Sequence, residues 1–506
     1  MTAATTGDLE RLLDRARQHI AAKVEADGPD AHQVEIDQLV WCHAHAQAAG
    51  ALGDWAAISG NPTAAGLAQV AWADAVALAA GRDFSASVER LKKLAGLAAQ
   101  IEGLEYAGAS EEHTLLRHSL RQLAESEIKP LAGKLHREDL DVPESIIEAV
   151  SEFGLFGLSI PTAYGGTQEG ADSTAMLIAT EELSRASLAA GGSLITRPEI
   201  MVRALLRGGT EDQKRRLLPA IAKGQQLVAV AVTEPDHGSN VADITCRAKA
   251  TPTGDWEITG TKLWCTFAGR ADLIMLLART GSTGRKGLSA FAVEKPAFKG
   301  HAFEYDQPGG GRLTGRAIPT IGYRGMHTFE LRFDRFIVPS DSLIGGEEWL
   351  NRGFYLQLEG FALGRIQTAG RAVGLMQAAL EDSVQYATSR EVFGRPIIAN
   401  QLAQAKLGEM SCKLQSSRQL SYRACGMLDR GDSDGQVAAS LAKLFASRMA
   451  ESVSRDAAQL HGAMGYSEET DVSRYFVDAR VLPVFEGAEE ILSLRVIGPT
   501  LLRGSN

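Results

Sequence analysis

Twenty residues from the C-terminus, Val484-Phe485-Glu486-Gly487-Ala488-Glu489-Glu490-Ile491 sets one carboxylate in an apolar setting beside a glycine. A carboxylate that loses solvation takes up a proton more readily, so Glu486 is a candidate catalytic base for proton abstraction. An ordinary loop carboxylate fits the same eight residues, and the rest of the chain must decide. Val232-Thr233-Glu234-Pro235-Asp236-His237-Gly238-Ser239-Asn240 leaves an apolar run through Pro and Gly, offering hydroxyls and backbone N–H groups to a polar cofactor. Gly260-Thr261-Lys262-Leu263-Trp264-Cys265-Thr266 places an indole and a hydroxyl two apart, hence on one face of a strand. Ser389-Arg390-Glu391-Val392-Phe393-Gly394-Arg395-Pro396 sets a guanidinium three residues from an aromatic ring, a pair suited to a diphosphate and an adenine. Gln459-Leu460-His461-Gly462-Ala463-Met464-Gly465-Tyr466 is a small-residue turn that a ligand can approach closely. Taken singly, each also fits a plain turn, a core tryptophan or a solvated arginine.

These segments need elements to hold them. Leu9, Leu12, Leu13, Ala16, Ile20 and Val24 recur at helical spacing, and Ala-rich periodicity returns over 30–52, 63–80 and 84–101. A glycine-punctuated polar stretch from Gly103 to Glu112 reads as a linker. Helical periodicity resumes from Thr114 to about Gln226. Short β-rich runs then follow at 228–232, 256–258, 273–277 and 290–293, and the helical period returns after Gly345. The expected fold is mainly α with a central β domain: an N-terminal helical extension (1–108), a helical domain (109–227), a middle β domain (228–342) and a C-terminal helical domain (343–506).

With 506 residues and 45% hydrophobic content the chain can bury several cores. A net charge of −10 argues against a nucleic-acid or anionic-membrane surface. The five cysteines (Cys42, Cys246, Cys265, Cys412, Cys425) lack CxxC spacing and read as reduced, non-catalytic thiols. Cys42, His43 and His45 lack a second ligand pair, so no metal site is expected. MTAATTGDLERLL has neither the basic nor the long apolar region of a signal peptide, and no run approaches a membrane span. A cytoplasmic protein is expected.

In order and spacing, the five segments resemble the acyl-CoA dehydrogenases from about Thr114 to Arg503. The resemblance implies a flavoenzyme, a homodimer or homotetramer, with a helical domain, a β-barrel-like domain and a C-terminal four-helix bundle, and FAD at a subunit interface. It implies that Thr233 and Thr266 hydrogen-bond the flavin ring, Trp264 packs against it, and Ser239 meets the pyrophosphate. Arg390 and Phe393 would hold the FAD of a neighbouring subunit, and Gln459, Gly462 and Ala463 its adenosine end. Glu486 matches the family's base, which removes the α-proton of a thioester while hydride leaves the β-carbon for flavin N5. Some relatives carry the base just before the arginine that matches Arg365; here that place is Gly364. Arg365 itself would lie near the acyl-CoA. Three positions depart from the pattern: Phe485 for tyrosine, Ala488 for threonine and Leu492 for glutamine. Electrons would pass on to an electron-transfer flavoprotein.

Closer likeness runs to the subgroup that oxidises (2S)-methylsuccinyl-CoA to mesaconyl-CoA in the ethylmalonyl-CoA pathway. It rests on the N-terminal extension, Thr196-Arg197-Pro198-Glu199-Ile200, Gly322-Tyr323-Arg324-Gly325-Met326 and Phe485-Glu486-Gly487-Ala488. Arg197 would read the distal carboxylate of that substrate. Arg324 is a second candidate, for which a structural role is the better reading. Alternatives are a dehydrogenase for a short or 2-methyl-branched monocarboxyl acyl-CoA, and a flavin oxidase or monooxygenase.

Overall fold

The computed structural model describes residues 6–79, 93 and 110–503. They form two compact units, one of residues 122–183 and 187–364, the other of 1–121, 184–186 and 365–506.

The first of these units is built on an eight-stranded sheet: β1 (Val228–Ala231), β2 (Arg247–Ala250), β3 (Trp256–Thr266), β4 (Leu273–Arg279), β5 (Leu288–Glu294), β6 (Ala302–Asp306), β7 (Arg312–Ala317) and β8 (Thr328–Val338). Strand order is β1-β4-β2-β3-β8-β7-β6, with β5 paired to β4. β1 runs parallel to β4, with Val228 opposite Leu273, and β3 runs antiparallel to β8. β4 explains the layering. Because side chains alternate along a strand, Ile274, Leu276 and Ala278 enter one core with Phe291, Phe329, Leu331 and Phe333. Leu273, Met275 and Leu277 enter a second, shared with Met201, Leu205, Leu217 and Ile221 of the helices Thr196–Gly208 and Glu211–Ala222. The latter helix starts at a capping box between Thr210 and Gln213. The four β-rich runs of the sequence all fall on strands. β2, β6, β7 and β8 escaped that reading because charged or polar residues interrupt them and stand between buried ones such as Ala248, Phe303, Leu313 and Leu331.

The other unit is helical. Helices Thr6–Asp27, Gln33–Ser59 and Pro62–Ala79 meet through Leu9, Ala49, Leu52, Trp55, Leu67 and Ala75, and Cys412 of the helix Gln401–Asp429 joins the same core. Ile20, Ile36 and Leu39 pack with Leu494, Leu501 and Leu502 from the C-terminal end. The N-terminal extension is therefore fastened to the C-terminal helices, also through Ser493, which donates to Asp37 at 2.7 Å. The helical stretch expected over 84–101 lies outside the described residues apart from Lys93, as does the linker up to residue 109. Glu111 and Glu112, read as linker, instead open the helix Glu111–Leu123, and the Ser110 hydroxyl accepts the His113 N–H. Among the described residues no helix is long and apolar enough to cross a membrane.

Candidate active site

Glu486 lies in a tight turn that connects the helix Asp471–Ala479 to the short helix Glu489–Ile491. Its φ is +55° and that of Gly487 is +100°. A left-handed glutamate is costly by itself, so the surroundings must hold it. Lys443, fully buried on the helix Gly435–His461, donates to the carbonyls of Pro483 at 3.3 Å and Gly487 at 2.7 Å. One turn on, Ser447 donates to Leu482 O, and Arg448 grips Glu489 with two bonds. The Phe485 ring lies 4.4 Å under the buried Arg371 guanidinium, so a cation–π contact anchors the residue that replaces tyrosine. Leu492 is fully buried, and Ala488 precedes the following helix without a side-chain cap, as expected once threonine is lost.

Glu486 Oε2 is buried without a hydrogen-bond partner among the described residues. Two cations are close enough for its charge to be felt. Burial lowers the proton affinity of Arg365, against the pull of Glu486. Burial likewise pushes Lys443 down to about 7, opposed by Glu486 and Glu489. Arg365 also donates to Ser440 at 3.1 Å, and its Nε is buried without a partner among the described residues. The turn thus brings together Glu486 and Arg365, both expected from the sequence, with Lys443, which was missed. Its only signal was a lone lysine inside the run Leu441-Ala442-Lys443-Leu444-Phe445.

Thr233 and Trp264 meet through the backbone, Leu263 N–H donating to Thr233 O at 2.8 Å. Beneath them the buried Lys262 donates to Val232 O and Glu234, both at 2.9 Å, and Glu234 accepts from Thr245 and Cys246. Desolvation works against the Glu234 charge, yet Lys262 and these N–H groups hold its carboxyl below the usual range. This ion pair, unread in the sequence, locks the turn. Trp264 has φ +60° and sits where β3 slips register against β8, between Lys262 and Cys265. The expectation that Trp264 and Thr266 share a regular strand face is corrected accordingly: a bulge interrupts the alternation. The indole is 54% exposed, whereas Thr266 is buried and donates to Thr328 Oγ1 at 3.4 Å. Ser239 is exposed at the end of the Thr233 turn.

Phe393 and Gly394, at φ +54° and +76°, form the two-residue turn of a hairpin between Glu391–Val392 and Arg395–Pro396. The Phe393 ring is wholly exposed, and Arg390 is exposed beside it. Tyr386 stacks on His461 at 4.2 Å. That contact brings this hairpin and the Gln459–Ala463 turn to one end of the helices; Gln459, Gly462 and Ala463 are all exposed there.

Arg197, on the helix Thr196–Gly208, is 6% exposed. It donates to the Tyr323 hydroxyl at 2.9 Å and to Ser193 O at 3.3 Å, and pairs with no carboxylate among the described residues. Its neighbour Glu199 is taken by Arg203 and Ser159. Arg324 donates to the carbonyls of His136 and Thr320, a structural tie.

Burial pushes the Cys246 and Cys265 thiols up to about 11 and about 12, which leaves them inert. His45 lies edge-on to Phe445 rather than beside a ligand set. His327 is held between Asp141 at 3.0 Å and Asp139 at 3.2 Å, with His301 3.1 Å away; burial disfavours its charge, and the two carboxylates outweigh that and raise its proton affinity. An imidazole hydrogen-bonded by two aspartates accounts for the geometry of this cluster.

The residues fit a flavin nucleotide. An exposed indole beside a turn of hydroxyls and N–H groups offers a ring platform. The bare Phe393 ring offers a second, and a Cβ added at Gly462 would meet nothing within 4 Å.

Over residues 110–225, 229–336 and 351–501 the chain matches the N-terminal, middle and C-terminal domains of the acyl-CoA dehydrogenases. It is 39% identical to the (2S)-methylsuccinyl-CoA dehydrogenase of Cereibacter sphaeroides over 78% of this chain and 70% of that protein. It is 36% identical to an acyl-CoA dehydrogenase of Bacillus subtilis (strain 168), over 78% and 99%. The solved butyryl-CoA dehydrogenase of Megasphaera elsdenii superposes with a TM-score of 0.71 at 28% identity, covering 78% and 99% of the two chains. Fold and matches together define an FAD-dependent oxidoreductase. The chain belongs to the acyl-CoA dehydrogenase family.

Proposed function

We propose that this enzyme oxidises (2S)-methylsuccinyl-CoA to mesaconyl-CoA, with Glu486 as the base. The observation that carries the substrate is Arg197, a buried guanidinium that lacks a carboxylate partner among the described residues. Buried charges are normally paired, and the distal carboxylate of a dicarboxyl acyl group supplies the missing anion. Glu486 takes the α-proton on its unpartnered Oε2. The left-handed turn fixes the direction of approach. Bound FAD supplies the acceptor for the β-hydride. Thr233, Thr266, Trp264 and Ser239 would hold its flavin and pyrophosphate. Arg390, Phe393, Gln459, Gly462 and Ala463 would meet the FAD of a second subunit, a reading supported by the full exposure of Phe393. The N–H of Glu486 would polarise the thioester carbonyl. Electrons would leave to an electron-transfer flavoprotein in the cytoplasm, as part of the ethylmalonyl-CoA pathway.

A second reading, a short or 2-methyl-branched monocarboxyl acyl-CoA as substrate, is favoured by the Tyr323 hydroxyl, which already gives Arg197 a neutral partner. Steady-state rates separate the two. The dicarboxyl reading expects kcat/KM for methylsuccinyl-CoA above that for butyryl-CoA, and a preference that collapses in Arg197→Ala. An unchanged preference in that variant removes Arg197 from substrate recognition.

A further inference from the structure

We propose that Lys443 is a positioning residue for the base turn: its buried ammonium ties together the carbonyls on either side of Glu486 and so holds that carboxylate in its left-handed pose. The inference rests on the reading of Glu486 as the base. Three observations carry it. Lys443 is fully buried, and its ammonium donates to the turn, to Pro483 O and Gly487 O. These carbonyls lie three residues before and one after Glu486, so a single ammonium closes the loop around the reacting side chain. Second, the turn carries consecutive positive φ values at Glu486 and Gly487, a conformation that persists only where neighbours over-determine it. Third, the grip continues along one helix face. Lys443 and Ser447 are spaced i, i+4, Arg448 adjoins them, and they bind the Pro483 and Gly487 carbonyls, the Leu482 carbonyl and the Glu489 carboxylate respectively.

A lysine is an expensive way to fill a core position, since a buried ammonium loses its hydration. An apolar side chain fills the same space but offers no donor to two carbonyls. Lys443 also faces Glu486 and Glu489, with Arg365 and Arg371 as the opposing cations.

The test compares Lys443→Met, Ser447→Ala and Glu486→Gln with wild type as flavin-loaded protein, using whichever of methylsuccinyl-CoA and butyryl-CoA turns over faster. Displacing a catalytic group by about 1 Å costs on the order of 10²-fold. Lys443→Met is therefore expected to lose about 10- to 100-fold in kcat with KM nearly unchanged. Its flavin content per folded chain should be normal. A filler role would not move the kcat-to-KM split. Wild-type kcat in Lys443→Met, alongside a dead Glu486→Gln, overturns the inference alone. Full turnover in Glu486→Gln overturns the base reading and the inference with it. If Lys443→Met does not accumulate, Ser447→Ala decides: a kcat loss at constant KM supports the role, and wild-type kcat overturns it.

Discussion

As the proposed base, Glu486 depends on what is withheld from it. Its Oε2 has no donor among the described residues, so the carboxylate is left for a substrate proton. Glu486→Gln keeps the volume and removes the basicity. It is expected to lower kcat by about 10²- to 10⁴-fold while flavin binding is retained, as read by absorbance per folded chain. At Arg197 the sequence suggested the residue but not its condition. Spacing could not say that the guanidinium is buried, that Tyr323 stands beside it, or that Glu199, two residues on, is already occupied by Arg203 and Ser159. Those facts come from long-range packing, in which Tyr323 lies 126 positions away in the chain. If a substrate carboxylate pairs with Arg197, truncation to alanine costs about 2–5 kcal/mol in kcat/KM for the dicarboxyl thioester, since the partner charge is then left unpaired.

At the scale of elements, what was legible followed burial. β4 is buried on both faces and reads as an unbroken apolar run, while in β2 only Ala248 is buried and Arg247 and Lys249 flank it. Backbone irregularity was illegible for a different reason. The bulge before Cys265 and the left-handed Glu486 are set by what packs around them, and neither needs a distinctive residue. The base turn was found as a motif, yet its anchoring was not, because Lys443 lies 43 residues upstream in a helix that otherwise reads as core. The glycine after the base has a specific duty. At φ +100° a Cβ is strained, and it would also meet Leu492 Cδ2 at 3.0 Å. Gly487→Ala is expected to destabilise the turn by about 1–3 kcal/mol, seen as a lower thermal midpoint and a reduced kcat. A wild-type midpoint and rate would show that the turn tolerates a side chain.

Over the whole molecule, buried charge sets the response to pH. Lys295 donates to the carbonyls of Gly269, Ala271 and Pro296, and burial pushes it down to about 7 from an ordinary 10.5. A lysine lowered in the fold binds fewer protons folded than unfolded between those values, so its share of stability rises with pH there. Its penalty is complete below about 7. Lys295→Met should therefore flatten the gain in thermal midpoint between pH 7 and pH 9; an unchanged slope would place the effect elsewhere. The family's FAD, and the exposed Phe393 ring, carry the assembly argument. If that ring meets a neighbour's cofactor, Phe393→Ala is expected to lose FAD on dilution faster than wild type, read by fluorescence of released flavin. The helical extension was legible as helices, through its Ala-rich period; that it shares a core with Cys412 and Leu494 was not, because those residues lie more than 300 positions away.

The most direct test of a Glu486-driven oxidation of a dicarboxyl thioester is anaerobic bleaching of the flavin band, following one turnover without any acceptor. Purified enzyme is mixed with (2S)-methylsuccinyl-CoA, butyryl-CoA or isobutyryl-CoA, for wild type, Glu486→Gln and Arg197→Ala. Fast bleaching by methylsuccinyl-CoA that is lost in Glu486→Gln and slowed in Arg197→Ala is the predicted result. Bleaching by butyryl-CoA or isobutyryl-CoA in preference, indifferent to Arg197, would contradict the dicarboxyl assignment, and undiminished bleaching in Glu486→Gln would contradict the base.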